Sequence, residues 1–403
     1  MRKDVELNIS QQMAFEAARK SPPEGFPRFP EIPASRYVDA DFLALENELM
    51  WKRAWLYGCH ADQIPEAGSW MLVKNTGSPI IIVRDLKGEF RAFYNTCQHR
   101  GAPLVKEESG NDRGFVCGYH GWSYTLDGKL TAVRDKRDFV DFDFACQSLQ
   151  PVRCETIGKL IFINEDPGAE PLDIHIASFS EELDQFQLDR LSFVESRSYE
   201  VDCNVKVLLD AFMEVYHLKS IHQNTVDRFL DHRGMTITLW EKGHSRMITP
   251  NRRPDWQDPG TKGMPVIDTV SDIVNANNAS YMIYPNFVMP PSNSGIPMLQ
   301  FWPTGPQSCR VVSTWIAPDY DPEHPHEKWE MRAENWERIL YEDLQFAPEI
   351  QESLNSPGFT GLPLNYQERR IYHWHEELDR RIGANHLPSE HAVEQVLEPY
   401  VES

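Results

Sequence analysis

Cysteine is scarce in this 403-residue chain, which has only 7, an odd number. A disulfide scaffold needs dense and even cysteines, so that class is excluded and the thiols read as reduced or metal-binding. Basic residues are also few. Lys and Arg total 40 against 61 Asp and Glu, a net charge of −21. An acidic chain repels phosphate, so neither nucleic acid nor an anionic membrane surface is an expected partner. Long apolar runs are missing as well. The most apolar stretches, 70–83 and 159–164, are short or interrupted by Lys, Gly or Pro, and a membrane span needs roughly 18 to 20 apolar residues. The start, MRKDVELNISQQ, is basic but has no apolar segment behind it. No secretion is expected, and the expected location is the cytoplasm. The sequence also lacks internal repeats and low-complexity tracts.

What is present is ordinary globular material, 41% apolar and 25% charged, long enough for two or three domains. Five prolines between residues 21 and 36 predict an extended arm. A helix is predicted over 41–55, where Phe42, Leu45, Leu49 and Trp51 share a face. From about 55 to 167, short apolar runs (SWMLVK, PIIIVRD, EFRAFYN, GFVCGYH, KLIFINED) alternate with turn signals, which predicts a small all-β domain. Beyond 182 the pattern is α+β, with helices near 204–222 and 326–354 and strands near 280–289, 297–303 and 308–316. Residues 249–265 read as a loop, and the acidic tail 388–402 as a short surface helix.

Two constellations carry chemistry. In the first, Cys97-Gln98-His99 is followed by Cys117-Gly118-Tyr119-His120. One Cys and one His come from each of two loops, flanked by small and turn-forming residues. Such a set can close a tetrahedral zinc site or hold a two-iron cluster, with two Cys on one iron and two His on the other. Cys59, Cys146, Cys154, Cys203 and Cys309 read as bystander thiols. In the second, Glu214 and His217 are three residues apart and share a helical face. His217 and His222 are five apart, about 140° round an ideal helix. Both can bind one metal only if the helix breaks or widens, so an irregularity is predicted between 217 and 222.

The stretches CQHRGAPL (97–104) and CGYHGWSYTLDGKL (117–130) resemble the cluster loops of Rieske proteins. The pattern N-x-K-x(3)-D-x(3)-E-x-Y-H-x(4)-H from Asn204 to His222 is similar to the mononuclear-iron motif of the large (α) subunit of Rieske non-heme iron ring-hydroxylating oxygenases. The resemblance spans roughly residues 51–375. It implies an α+β chain with three parts: an N-terminal arm and helix (1–54) packing on the catalytic domain, a small all-β Rieske [2Fe–2S] domain (55–167), and a larger antiparallel-sheet-and-helix catalytic domain (168–403). It implies that Cys97, His99, Cys117 and His120 hold the cluster, and that His217, His222 and a downstream acid hold Fe(II). Within Tyr341-Glu342-Asp343 the acid is Asp343, with Glu342 as alternative. Glu214, where the family more often has Asp, would bridge His217 to His120 of a neighbouring chain.

The implied activity is that of a terminal oxygenase. Electrons come ultimately from NAD(P)H through a reductase or ferredoxin, and dioxygen hydroxylates an aromatic or other hydrophobic small molecule, as in aromatic hydrocarbon catabolism. The alternatives are oxidative N- or O-demethylation of a small methylated compound and, outside enzymes, a Rieske electron carrier. A homotrimer, or a trimer with a small β subunit, is expected. Residues 97–137 carry seven basic and five acidic side chains, and this stretch is expected to help dock an acidic electron donor. Phe212, Met213, Met282, Phe287, Met289, Met298 and Trp302 are candidates for the wall of the substrate pocket, with a place in the core the stronger reading for each.

Overall fold

A computed structural model describes residues 1–253 and 259–402. The chain divides into two compact units, one of residues 52–172 and one of residues 1–51 with 173–403.

In the smaller unit, short apolar segments alternate with turns and pair as an antiparallel sheet. Its strands are β1 (Leu56–His60), β2 (Ser69–Val73), β3 (Ile80–Arg84), β4 (Phe90–Tyr94), β5 (Ser109–Asn111), β9 (Pro151–Ile157) and β10 (Leu160–Asn164), in the order β1-β10-β9-β4-β3-β2-β5. Three shorter strands, β6 (Phe115–Val116), β7 (Ser123–Tyr124) and β8 (Leu130–Ala132), form a second sheet. β3 and β10 are apolar at consecutive positions and buried on both faces, which is why they read as continuous runs. Trp70, Ile81, Phe93, Trp122 and Tyr124 pack around the buried Cys97 and Cys117.

The larger unit is built on an eight-stranded sheet. Its strands are β11 (Ser192–Val201), β12 (Thr236–Trp240), β13 (Ser245–Pro250), β14 (Asn277–Ile283), β15 (Phe287–Met289), β16 (Ile296–Gly305), β17 (Ser308–Ala317) and β18 (Val401–Glu402), in the order β11-β17-β16-β15-β14-β13-β12-β18. Neighbours are antiparallel except β12 and β18, which run parallel. Seven helices matter for the site: α1 (Lys3–Ala18), α2 (Ala40–Leu49), α3 (Val205–Ala211), α4 (Leu218–Ile221), α5 (Trp329–Leu344), α6 (Ala347–Leu354) and α7 (Arg369–Ile382). The α+β class and the antiparallel catalytic sheet are as the sequence predicts.

Several local expectations are overturned. The strand expected at 280–289 is two strands separated by Tyr284–Asn286, because Pro285 lacks the N–H that a central strand needs. The helix expected at 326–354 is interrupted after Leu344 and resumes at Ala347, with Pro348 in its first turn. The helix predicted over 41–55 runs only from Ala40 to Leu49. Asp39 caps its start by accepting hydrogen bonds from Asp41 N and Phe42 N, and a 3₁₀ turn follows at Trp51–Arg53. The tail is not a surface helix. Glu376 accepts from Val396 N (2.6 Å) and Leu397 N (2.9 Å), and Asp379 accepts from Val393 N (2.7 Å). These bonds take the donors a helix would use, and the tail ends as β18. Of the loop expected at 249–265, residues 249–250 belong to β13, and 254–258 lie outside the described residues. Helix α1 has no counterpart among the sequence expectations, since its apolar residues are scattered round the helix rather than gathered on one face.

One buried polar cluster fixes α3. Lys206 Nζ donates to both oxygens of Glu46 on α2 (2.7 and 3.0 Å), with both side chains fully buried. Tyr37 OH donates to Asp210 Oδ2 at 2.6 Å and lies 2.9 Å from His375 Nε2 on α7. Three separate segments thereby hold the helix that leads into the second constellation.

Candidate metal centres

In the smaller unit, the two cysteine loops have the same backbone plan. Gly101 N donates to Cys97 O and Gly121 N to Cys117 O, both at 2.9 Å, and both glycines sit at φ +73°. That conformation is costly for any residue with a Cβ, which explains Gly at both turns. Asn95 braces the first loop: its Oδ1 accepts from Leu104 N (2.8 Å) and Val105 N (3.1 Å), and its Nδ2 donates to Val105 O (2.8 Å).

The loops bring the four expected residues together as two like pairs, Cys97 with Cys117 in one buried cluster and His99 with His120 beside each other. The rings of His99 and His120 are 4.5 Å apart, and His99 stacks on Trp122 at 4.9 Å. His99 Nδ1 is buried with no hydrogen-bond partner in the described structure. Burial, followed by the nearby His120 and Arg100, lowers the His99 pKa and favours the neutral imidazole a metal requires. Cys97 Sγ lies 3.4 Å from Tyr124 OH, which also accepts from Gln98 N at 3.0 Å. A hydrogen bond to a ligand sulfur stabilises the reduced, more negative cluster, so Tyr124 is suited to raise a cluster's potential. Sequence reasoning missed Tyr124 and Asn95. Tyr124 lay inside the quoted cluster stretch, but nothing in its spacing says that its hydroxyl turns back to Cys97.

In the larger unit, α3 ends at Ala211 and a new one-turn helix, α4, begins at Leu218. The cause is Glu214. Its carboxylate accepts from the backbone N–H of Tyr216 and from His217 N at 3.2 Å, and these bonds displace the helical ladder. The irregularity expected between 217 and 222 is therefore absent. Ile221 N and His222 N make ordinary α-helical bonds to His217 O and Leu218 O, both at 3.0 Å. The break lies upstream, at 212–216. The two histidines stand at the two ends of a single turn, and that placement lets their rings approach to 5.1 Å.

Asp343, in the last turn of α5, meets them. Its Oδ1 is 3.1 Å from His222 Nε2 and 3.5 Å from His217 Nε2. Among the described residues, His217, His222 and Asp343 form a set that could hold a metal, with ligand atoms all within 4.8 Å of one another. Both histidines face this point with Nε2. His217 Nδ1 turns instead to Glu214, and His222 Nδ1 lies 2.7 Å from Glu342 Oε2. Burial works against a charge on either ring. For His217 the Glu214 and Asp343 carboxylates outweigh it, and for His222 Asp343 and Glu342 do, so both pKa values are raised. A pocket that draws positive charge onto two imidazoles is electrostatically suited to a divalent cation. Two His and one carboxylate match the donor set of a non-heme Fe(II) centre.

One cavity opens on this point and a second reaches Thr225, three residues beyond His222. The first, of about 620 Å³, has His217, Asp343 and Glu214 in its wall with three further carboxylates, Asp210, Glu349 and Glu368. Burial pushes Asp210 and Glu368 up to about 7. The other cavity, of about 820 Å³, is lined by Thr225, Phe229, Asn251, Trp315, Trp336 and Ile339 among others. The seven candidates for a substrate-pocket wall line neither cavity, so the stronger, core reading holds. Met213, Met282, Phe287, Met289, Met298 and Trp302 are core residues at 2% exposure or less, and Phe212 packs on Phe301. Large apolar side chains near a sheet are core by default, and no periodicity separates a cavity wall from a core.

Comparison with known proteins agrees with this picture. A model of the Rieske [2Fe–2S] domain matches residues 54–146, and a model of the catalytic domain of the ring-hydroxylating α subunit matches residues 188–384. The glycine betaine monooxygenase oxygenase subunit of Chromohalobacter salexigens is 24% identical over 366 residues, 81% of this chain and 80% of that protein. The anthranilate 1,2-dioxygenase large subunit of Acinetobacter baylyi is 30% identical over 202 residues, 48% of this chain and 43% of that protein. The crystal structure of the quaternary ammonium Rieske monooxygenase CntA with L-carnitine superposes with a TM-score of 0.73 at 21% identity. It covers 88% of this chain and 97% of that one. A Rieske [2Fe–2S] domain and an iron-dependent catalytic domain thus occur in one chain, which belongs to the Rieske non-heme iron oxygenases as a large, α-type subunit.

Proposed function

We propose that Cys97, Cys117, His99 and His120 hold the cluster, and that His217, His222 and Asp343 hold the mononuclear iron of this terminal oxygenase. The convergence of two Nε2 atoms and one carboxylate oxygen on a single point supports the second assignment. When bound, the iron supplies dioxygen activation, driven by electrons received through a partner reductase or ferredoxin. The protein's part is to present three ligand atoms, leave the remaining positions open and exclude bulk water.

Glu214 is the proposed entry point for the electron. It holds His217 from the face that opens into the acidic cavity. The neighbouring Tyr216, Phe346, Ile350 and Phe359 are 61%, 41%, 47% and 39% exposed, an apolar surface of the kind another copy of the chain would cover. On the cluster unit, Val116, Tyr119 and Val140 are exposed beside the basic Arg100, Arg134 and Lys136. A head-to-tail ring of three copies would bring the partner subunit's His120 to Glu214. Sedimentation of the purified chain tests whether three copies assemble without a small β subunit. No helix among the described residues is long and apolar enough to cross a membrane, and a cytoplasmic location suits an NAD(P)H-dependent reductase.

If a partner copy occupies the Glu214 side, substrate enters by the larger cavity. Phe229, Trp315, Trp336 and Ile339 in its wall suit a hydrophobic, aromatic or alicyclic skeleton, Lys262, Arg332 and Arg338 also line it, and hydroxylation is the first reading. A second reading gives the smaller cavity to the substrate in place of a partner copy, where Glu349 and Glu368, carboxylates that the iron and electron assignments do not use, suit a cation. It also draws on relatives named for glycine betaine and, in the solved structure, carnitine. Under that reading a methylated amine is oxidised with loss of the methyl group.

The test is dioxygen uptake with a surrogate reductase across aromatic, alicyclic and methylated-ammonium compounds, with ¹⁸O₂ as oxidant. A labelled phenol, alcohol or diol supports the first reading. Formaldehyde released from an ammonium compound supports the second. Cluster reduction without substrate-dependent oxygen uptake by any compound would leave only an electron carrier.

A further inference from the structure

Glu342 and Thr225 form a structure that ligation alone does not explain. Glu342 immediately precedes Asp343 on α5, about 100° round the helix from it. Its Oε2 accepts a hydrogen bond from Thr225 Oγ1 at 2.6 Å and stands 2.7 Å from His222 Nδ1. Thr225 is tied back to His222 a second time, since Thr225 N donates to His222 O at 3.0 Å. All three side chains are largely withdrawn from water: His222 is 3% exposed, Thr225 7%, and the Glu342 side chain 21%.

An ionised carboxylate only accepts, so the ring nitrogen facing it carries the proton. That leaves His222 Nε2 with its lone pair directed at Asp343 and the iron position. The same oxygen cannot also reach a metal at Nε2, because Nδ1 and Nε2, on either side of Cε1, point in divergent directions.

We propose that Glu342 and Thr225 are positioning residues for the iron. Glu342 fixes the tautomer and plane of His222, and the Thr225 hydroxyl fixes Glu342. The inference rests on the oxygenase reading and deepens it. The two histidines are braced from opposite sides by different carboxylates. His217 leans on Glu214 in the acidic cavity, and His222 leans on Glu342 behind Thr225, a wall residue of the larger cavity. The braces therefore separate by role. Removal of Glu342 weakens the grip on iron. Removal of Glu214 also interrupts the proposed path of the electron.

The test uses the full chain with its cluster intact, stripped of mononuclear iron and titrated anaerobically with Fe(II). A lost outer brace typically costs about 10- to 100-fold in metal affinity. Glu342→Ala is expected to raise the Fe(II) dissociation constant by that factor, and Glu342→Gln and Thr225→Val by less. At saturating Fe(II), Glu342→Ala should regain the reoxidation rate of the reduced cluster by dioxygen, whereas Glu214→Ala should not. In the Co(II)-substituted protein, the visible ligand-field bands should shift in Glu342→Gln and Thr225→Val, a change that a merely structural role would not produce. Unchanged Fe(II) affinity in Glu342→Gln and Thr225→Val overturns the proposal even if Glu342→Ala does not fold. So does a Glu342→Ala variant that binds no iron while Asp343→Ala still does, since Glu342 would then be the ligand. If the unmodified protein takes up no Fe(II) beyond its cluster, the oxygenase reading itself fails.

Discussion

At the scale of single residues, metal-binding side chains are easier to read from sequence than the groups that aim them. C-x-H and C-x-x-H, and two histidines five apart, stand out because few other uses need those residue types together. Tyr124, Asn95 and Thr225 carry no such signal, since a hydroxyl or amide at any position has many uses and its partner lies far along the chain. The consecutive acids Glu342 and Asp343 show the limit best. Sequence offers both, and only side-chain direction separates the carboxylate that meets two Nε2 atoms from the one behind Nδ1. Two predictions belong here. Tyr124→Phe removes one hydrogen bond to Cys97 sulfur. If that bond contributes about 0.5–1.5 kcal/mol, the one-electron potential of the cluster falls by roughly 20–65 mV. Redox titration of the cluster's visible spectrum checks this, and an unchanged potential would show the contact to be idle. Glu214→Ala should keep the cluster and, at saturating Fe(II), the mononuclear iron, yet lose most turnover. Wild-type hydroxylation in that variant would remove Glu214 from the electron path.

At the scale of elements, the apolar periodicities found most strands and helices but not where they stop. The reading of 204–222 as one helix failed because a carboxylate three residues before His217 competes for backbone donors, a side-chain effect that hydrophobic spacing does not record. The tail failed for a related reason, as Glu376 and Asp379 on α7 take its N–H groups. The buried Glu46–Lys206 pair was also invisible, since each residue looks like a surface charge on its own helix. Removing one partner strands the other without compensation, so Glu46→Ala should destabilise the larger unit by about 3–5 kcal/mol in denaturant melts. Asp210 gives a pH dependence. Burial raises its pKa from 3.8 to about 7, so the folded state binds a proton that the unfolded state releases. Its stabilising contribution is present below pH 3.8 and is lost as pH rises through about 7, with a slope of up to about 1.4 kcal/mol per pH unit. Asp210→Asn should flatten the stability profile across that window, and an unaltered profile would exclude Asp210 as its source.

At the scale of the whole molecule, the division of labour was legible early. A strand-rich segment carries one donor set, and the segment after it carries the other. The acidic total proved less informative than its placement. Five carboxylates line the cavity that holds Glu214, while Arg100 lies in the first cluster loop and Arg134 and Lys136 follow the second. A ring of copies follows if those two surfaces meet. On the proposed ligand sets, Cys97→Ser should lack a cluster and Asp343→Ala the iron, and co-expressing the two should then restore part of the activity that neither variant has alone. Failure to complement would place electron transfer within one chain.

The most direct measurement is iron and acid-labile sulfide per chain, for the unmodified protein and for Asp343→Ala. The account predicts sulfide equal to the two of a [2Fe–2S] cluster in both proteins, with one iron beyond the cluster in the unmodified protein and none in the variant. Zinc in place of iron, absence of labile sulfide, or an extra iron that survives in Asp343→Ala would contradict it.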